Sequence, residues 1–356
     1  MSTATTTSSA LASQRRSADL ETAISANPGA FRILTGDRPT GALHIGHYFG
    51  TLANRVRLQD AGVELMVLIP DYQALTDRTA TPQLRENVFG LVADYLAMGI
   101  DPARSTIFAH SQVEALNQLL LPFLSLVSVA EIGRNPTVKE EMAASGSSVM
   151  SGLMFAYPVH QAADILSCRA NLVPVGQDQL PHLELSRVIA RRFNERYSPE
   201  APFFAEPEAL LSDAPLLLGL DGRKMGKSLG NSVPLRTSAD QTARLVAKAT
   251  TDSQRRITYE PDSRPEVSSL VLIAALCLNQ DPADVAEEIG DGGAAALKAV
   301  VTDALNERFA GLRARRAELA ADPGYLRDVL AEGNARARAI ADETLEEVRR
   351  LMFMSY

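Results

Sequence analysis

One stretch constrains this chain more than any other. A short apolar run at 31–34 leads into Thr35-Gly36-Asp37-Arg38-Pro39-Thr40-Gly41-Ala42-Leu43-His44-Ile45-Gly46-His47. An apolar run, a Gly/Pro turn, then an amphipathic continuation through Tyr48, Phe49, Leu52 and Val56 reads as strand, loop and helix start. Gly36, Gly41 and Gly46 let backbone approach a bound group closely. A helix beginning near His47 would aim its N–H groups and positive dipole end at the loop. That is an anion site with the imidazoles of His44 and His47 at its mouth. Read alone, such a stretch is more often a helix-start turn carrying two surface histidines.

The rest of the chain narrows the choice. Residues 63–70, 105–109 and 173–175 read as short buried strands. Residues 82–98, 115–126, 157–166 and 183–197 carry helical spacing. Strand and helix alternate, so a parallel sheet with helices on both faces is expected, with ligands beyond the C-terminal strand ends. Residues 198–215 read as extended and Pro-rich, and 216–220 as a last strand. A Gly-punctuated loop follows, Asp221-Gly222-Arg223-Lys224-Met225-Gly226-Lys227-Ser228-Leu229-Gly230-Asn231. Its two ammonium groups can reach an anion, and its glycines make it flexible. From about 236 the pattern is helices without strands: 239–250, 265–278, 282–289, 294–320, 324–330 and 332–352.

Composition bounds the function. The 356 residues suffice for about two domains, and 46% hydrophobic content supplies a full core. Lys and Arg number 35 against 43 Asp and Glu, a net charge of −8, so any nucleic-acid surface must be local. Arg313, Arg315, Arg316, Arg336, Arg338, Arg349 and Arg350 are the candidates for such a patch, against the reading of solvated helix faces paired with Glu. Cys168 and Cys277 lie far apart without ligand spacing, which argues against disulfides or zinc; no metal site is expected. No apolar run reaches membrane-spanning length. Residues 1–29 are Ser/Thr/Ala-rich without an apolar signal core and read as a mobile tail.

Five segments now stand in one order: Thr-Gly-Asp-Arg-Pro-Thr-Gly with His-Ile-Gly-His, Pro-Asp-Tyr-Gln-Ala-Leu-Thr (70–76), Tyr-Pro-Val-His-Gln-Ala-Ala-Asp-Ile (157–165), Val-Pro-Val-Gly-Gln-Asp-Gln-Leu-Pro-His (173–182), and Lys-Met-Gly-Lys-Ser (224–228). Together they closely resemble the bacterial tryptophanyl-tRNA synthetases, class I enzymes of the tryptophan/tyrosine subgroup. His44–His47 matches the family's HIGH motif, and 224–228 its KMSKS loop with Gly226 in third place. The resemblance covers roughly 31–352. It implies an α/β fold: a Rossmann-like parallel-sheet catalytic domain at 30–235 and an all-helical anticodon-binding domain at 236–356. It also implies a cytoplasmic homodimer that activates L-tryptophan with ATP and Mg2+, the metal arriving with the nucleotide. The amino acid then passes to tRNA(Trp).

Residue roles follow from the same resemblance. His44, His47, Lys224, Lys227 and Lys139 would stabilise the charge growing on pyrophosphate. ATP would lie on Gly36, Arg38, Pro39, Thr40, Gly46, His47, Gly176, Gln177, Asp178 and Leu216, covered by Lys224, Met225, Gly226, Lys227 and Ser228. Tryptophan would be held by Asp164, Tyr157, Gln161, Gln179, Leu34 and Gln73, with Asp164 accepting from the indole N–H. Rejecting phenylalanine follows, since that ring would leave the carboxylate unpaired. The reaction needs no enzyme nucleophile, so the absence of a nucleophile–base constellation is consistent.

Three positions depart from common bacterial members. Gln73 stands where a His is usual, Gln161 where a Met is usual, and Arg38 where a Gln is usual. They add polar groups around the pocket and suggest an auxiliary-type enzyme with altered affinity for tryptophan or its analogues. Three rivals share parts of the pattern. A tyrosyl-tRNA synthetase shares fold and mechanism, but its usual Gly-Ser-Asp-Gln-type turn is Gly-Gln-Asp-Gln here. A nucleotidyltransferase of the HIGH superfamily has no need of the long helical region after 236. An inactive, synthetase-like binding protein would not require intact histidines and lysines.

Overall fold

The computed structural model describes residues 3–76, 81–135, 150–176, 180–211 and 217–356. Five parallel strands form one sheet: β1 (Arg32–Gly36), β2 (Glu64–Ile69), β3 (Ser105–Ala109), β4 (Leu172–Val175) and β5 (Glu208–Leu211), in the order β3-β2-β1-β4-β5. The order reverses at β1, where β2 lies on one side and β4 on the other. A parallel sheet covered on both faces needs apolar residues at successive strand positions. β2 supplies them: Leu65, Val67 and Ile69 enter one core, Met66 and Leu68 the other.

The helices that bear on the site are α1 (Thr3–Ala26), α2 (Ala53–Asp60), α3 (Leu84–Met98), α4 (Gly152–Ser167), α5 (Leu180–Tyr197), α6 (Ala239–Ala247), α7 (Pro265–Leu278), α8 (Pro282–Ile289), α9 (Gly293–Ala320) and α10 (Pro323–Leu351). On one face, residues of α1, α3, α7 and α9 share a core with β1, β2 and β3; on the other, α4, α5 and the second half of α10 do so. Among the described residues no helix is long and apolar enough to cross a membrane.

Several expectations change. Within the stretch read as a tail, Thr3–Ala26 is helical and its last turns are built in. Leu20 and Ile24, one turn apart, are buried in the first core. Ser17 Oγ accepts from Leu211 N at 3.0 Å, closing the outer edge of β5, and Arg16 pairs with Glu208 at 2.7 Å. The fifth strand is Glu208–Leu211, inside the segment read as merely extended; of the strand expected at 216–220, the described residues 217–220 show only an isolated bridge from Leu218 to Lys224. Residues 115–126 divide into Glu114–Gln118 and Leu120–Leu124.

α10 runs unbroken through the break expected near 331. It lies so close to β3 that a Cβ on Gly333 would sit 1.8 Å from the Ile107 carbonyl oxygen. Asn334 Oδ1 accepts from Ala109 N at 3.0 Å on that edge strand. The change at 236 is therefore a change of secondary structure within shared packing. The arginines follow suit. Arg315 bonds the Leu96 carbonyl, Arg316 pairs with Asp94, Arg336 bonds the carbonyls of Pro102 and Ser105, Arg338 pairs with Glu114, and Arg349 bonds Gln118. These side chains fasten the helical region to the sheet domain.

Candidate active site

A cleft of about 970 Å³ opens at the C-terminal ends of β1, β2 and β4, at the point where strand order reverses. Thr35 and Gly36 from β1, Leu68 in β2 and Pro70 just after it, and Val175 at the end of β4 with Gly176 after it form its floor. Gly36 is small for a reason the sequence did not reveal: a Cβ there would lie 2.0 Å from the Leu68 carbonyl oxygen of the neighbouring strand. Gly41 sits at φ +136°, a region side chains avoid.

The first loop ends in a compact helix start. Ile45–His47 passes through a wider π-type turn, Tyr48–Leu52, into α2. His44 N donates to His47 Nδ1 at 3.2 Å, and the two rings lie 3.7 Å apart. Not all helix-start donors face the cleft, because Ile45 N is bonded to the Val233 carbonyl at 3.0 Å. Burial, with His47 and Lys227 nearby, pushes His44 down to about 3. Burial also lowers His47, to about 4, against the pull of Asp37. Both imidazoles are therefore neutral at pH 7, able to donate N–H bonds but carrying no charge.

Beneath them lies an ion pair that sequence reasoning missed. Asp37 meets Arg55 of α2 at 2.6 Å and accepts from Tyr95 OH at 2.9 Å. Burial opposes its ionisation, but the Arg55 guanidinium outweighs that and holds Asp37 down to about 2. This anion faces the Lys227 ammonium, whose pKa burial lowers.

The lysine loop folds over the same end. Lys227 Nζ donates to the Arg38 carbonyl at 3.1 Å, and a Cβ on Gly46 would meet Met225 Sδ at 3.0 Å. Despite its glycines the loop is organised, around Asn231. That side chain donates to Asp221 at 2.7 Å and to the Lys224 carbonyl at 3.1 Å, and accepts from Gly226 N at 3.0 Å.

At the other end, Tyr157, Gln161 and Asp164 line the cleft from one face of α4. Asp164 is 2% exposed, and His110, just past β3, meets it at 2.6 Å from Nε2 to Oδ1. His160 packs on His110 with ring centres 4.7 Å apart, and its Nε2 bonds Asn117 Oδ1 at 2.9 Å. Tyr157 OH bonds His182 Nε2 at 2.9 Å. His110, His160 and Asp164 each offer one ligand atom within 4.8 Å of the others, a donor set that suits a transition ion. The bond between His110 and Asp164 already engages two of the three.

Of the residues singled out from sequence, Leu34, Gly36, Arg38, His44, Gly46, His47, Gln73, Tyr157, Gln161, Asp164, Gly176, Lys224 and Met225 line this one cleft. Lys227 reaches its rim through Arg38. Pro39, Thr40 and Gly226 belong to the flanking loops and are not among its lining residues, and the side chain of Ser228 lies outside what the structure describes. Lys139, Gln177, Asp178, Gln179 and Leu216 lie outside the described residues. Asp37, Arg55, His110, His160 and His182 were missed as site residues. One signal was available: the chain has only five histidines, and all five line the cleft or lie directly behind it.

Comparison with known proteins agrees with this geometry. The family model for class I tRNA synthetases (W and Y) matches residues 26–310. A tryptophan–tRNA ligase of Streptococcus pyogenes serotype M1 is 41% identical over 337 residues, 91% of this chain and 98% of its own length. One from Lactococcus lactis subsp. lactis is 40% identical over the same share of each chain. Among solved structures, the tryptophanyl-tRNA synthetase of Campylobacter jejuni complexed with ADP and tryptophan superposes with a TM-score of 0.79 at 29% identity, covering 90% of this chain and 99% of that one. The chain belongs to the class I tRNA synthetases for tryptophan and tyrosine, among the tryptophan–tRNA ligases.

Proposed function

We propose that the cleft seats MgATP beneath the histidine and lysine loops and tryptophan against Asp164, so that the two react between them. What supports this reading is one observation: a buried carboxylate and two phosphate-seeking loops share a single cleft. A tryptophan carboxylate oxygen attacks the α-phosphorus of ATP. The new P–O bond forms as the α–β bridging bond breaks, and pyrophosphate leaves with the electron pair. Lys224 and Lys227 supply positive charge to the leaving group, and neutral His44 and His47 supply N–H donors. Lys139 joins them by resemblance to the family. In the second step a terminal ribose hydroxyl of tRNA(Trp) attacks the adenylate carbonyl, and AMP leaves.

Gly36, Arg38, Pro39, Thr40, Gly46 and Gly176 surround the nucleotide in this reading, together with Gln177, Asp178, Leu216, Met225, Gly226 and Ser228. Leu34, Gln73, Tyr157, Gln161 and Gln179 surround the amino acid. Mg2+ enters as part of the nucleotide substrate. Resemblance to the family supports a cytoplasmic homodimer whose helical region, 236–356, reads the anticodon.

Replacing the indole acceptor tests the amino-acid end. In ATP–pyrophosphate exchange, Asp164→Ala raises KM for tryptophan by about 10-fold or more, the worth of one buried hydrogen bond. KM for ATP stays within about twofold. Equal loss for both substrates would overturn the role of Asp164.

A further inference from the structure

His110 has no role in the reading above, yet it is fully buried and makes a 2.6 Å contact to the key carboxylate. A carboxylate can only accept hydrogen bonds, so the ring nitrogen facing it, Nε2, carries the hydrogen. The imidazole cannot swing away. His160 packs on one side at 4.7 Å between ring centres, and Tyr72 stacks at 6.2 Å with an interplanar angle of 25°. His160 is itself held by Asn117, whose amide nitrogen also reaches the Val113 carbonyl at 3.4 Å. The ring is thus fixed by the end of β3, by the helix Glu114–Gln118 and by α4. Its Nδ1 is buried without a partner among the described residues, so the bond to Asp164 is the ring's one polar attachment there.

We propose that His110 is the positioning residue for the amino-acid end of the cleft: it grips one oxygen of Asp164 so that the other is aimed at the indole N–H. This rests on the reading of Asp164 as the indole acceptor. A buried carboxylate without a donor is unstable and turns toward whatever polar group or water is nearest. His110 removes that freedom before substrate arrives, and pre-set geometry converts into affinity for tryptophan. The nucleotide end, which His110 does not touch, is unaffected.

The test is ATP–pyrophosphate exchange in the full-length protein with His110→Leu, His110→Gln, Asp164→Ala and the double variant that combines His110→Leu with Asp164→Ala. His110→Leu raises KM for tryptophan about 10-fold and leaves KM for ATP within about twofold. His110→Gln, whose amide still donates, returns KM for tryptophan to within about threefold of the parent. In the Asp164→Ala background, His110→Leu adds no further change. Should the leucine variant not fold, His110→Asn, whose amide is too short to span the gap, makes the same comparison with His110→Gln. An unchanged tryptophan KM in His110→Leu beside a raised one in Asp164→Ala would overturn this proposal alone. An unchanged tryptophan KM in Asp164→Ala would overturn the reading of Asp164 beneath it. Parallel loss for both substrates in His110→Leu without rescue by Gln would reduce His110 to a packing residue.

Discussion

The two histidines of the first loop show how a motif legible in sequence acquires its chemistry from burial. Their ordinary value is 6.5, and the fold holds them at about 3 and about 4. The unfolded chain therefore binds protons below pH 6.5 that the folded chain refuses, and stability falls as pH drops from 6.5 toward 4. At pH 5 the loss is on the order of 2 kcal/mol for each of the two imidazoles. Thermal melts of the ligand-free protein at pH 7 and pH 5 check this. The midpoint falls at pH 5 in the parent and falls less in the His44→Asn, His47→Asn double variant; equal falls would contradict it. The residues beneath were hidden for a physical reason. Asp37 and Arg55 are eighteen positions apart, and only the turn from β1 into α2 brings them to 2.6 Å. His110 and His160 follow the same rule, since their pairing with Asp164 exists only once the end of β3 meets α4.

Elements were legible wherever local signals were strong. Pro265–Leu278 and Pro282–Ile289 fall where the sequence put them, because each has proline in its first turn and an apolar stripe. Ser105–Ala109 likewise stands as read. β5 was missed because four residues inside a Pro-rich stretch carry almost no periodicity, and its pairing comes from β4. α1 was missed because its sequence is Ser/Thr/Ala-rich, and among its described side chains only Leu20 and Ile24 enter the apolar core. The break expected in α10 had a tertiary cause: Gly333 is there to admit β3. Gly333→Ala should lower stability by on the order of 2 kcal/mol through forced separation of helix and strand. The urea midpoint reads this directly, and an unshifted midpoint would contradict the packing.

At the scale of the molecule, a reversed strand order opens one cleft, and the helical region is locked to the sheet that carries it. Those helices are fastened by Arg315, Arg316, Arg336, Arg338 and Arg349 to elements beside β3, the strand that delivers His110. An acidic chain thus uses these arginines for internal cohesion, which charge patterning alone could not distinguish from an RNA-facing stripe. The family, the reaction class and the two loops were readable from ordered motifs. The polar scaffold behind them required the fold. The most direct measurement is ATP–pyrophosphate exchange with tryptophan, with tyrosine and without amino acid. Exchange that depends on tryptophan and is at least about 100-fold weaker with tyrosine is the predicted result, the difference a buried polar mismatch imposes. Exchange supported by tyrosine, or by neither amino acid, would contradict it.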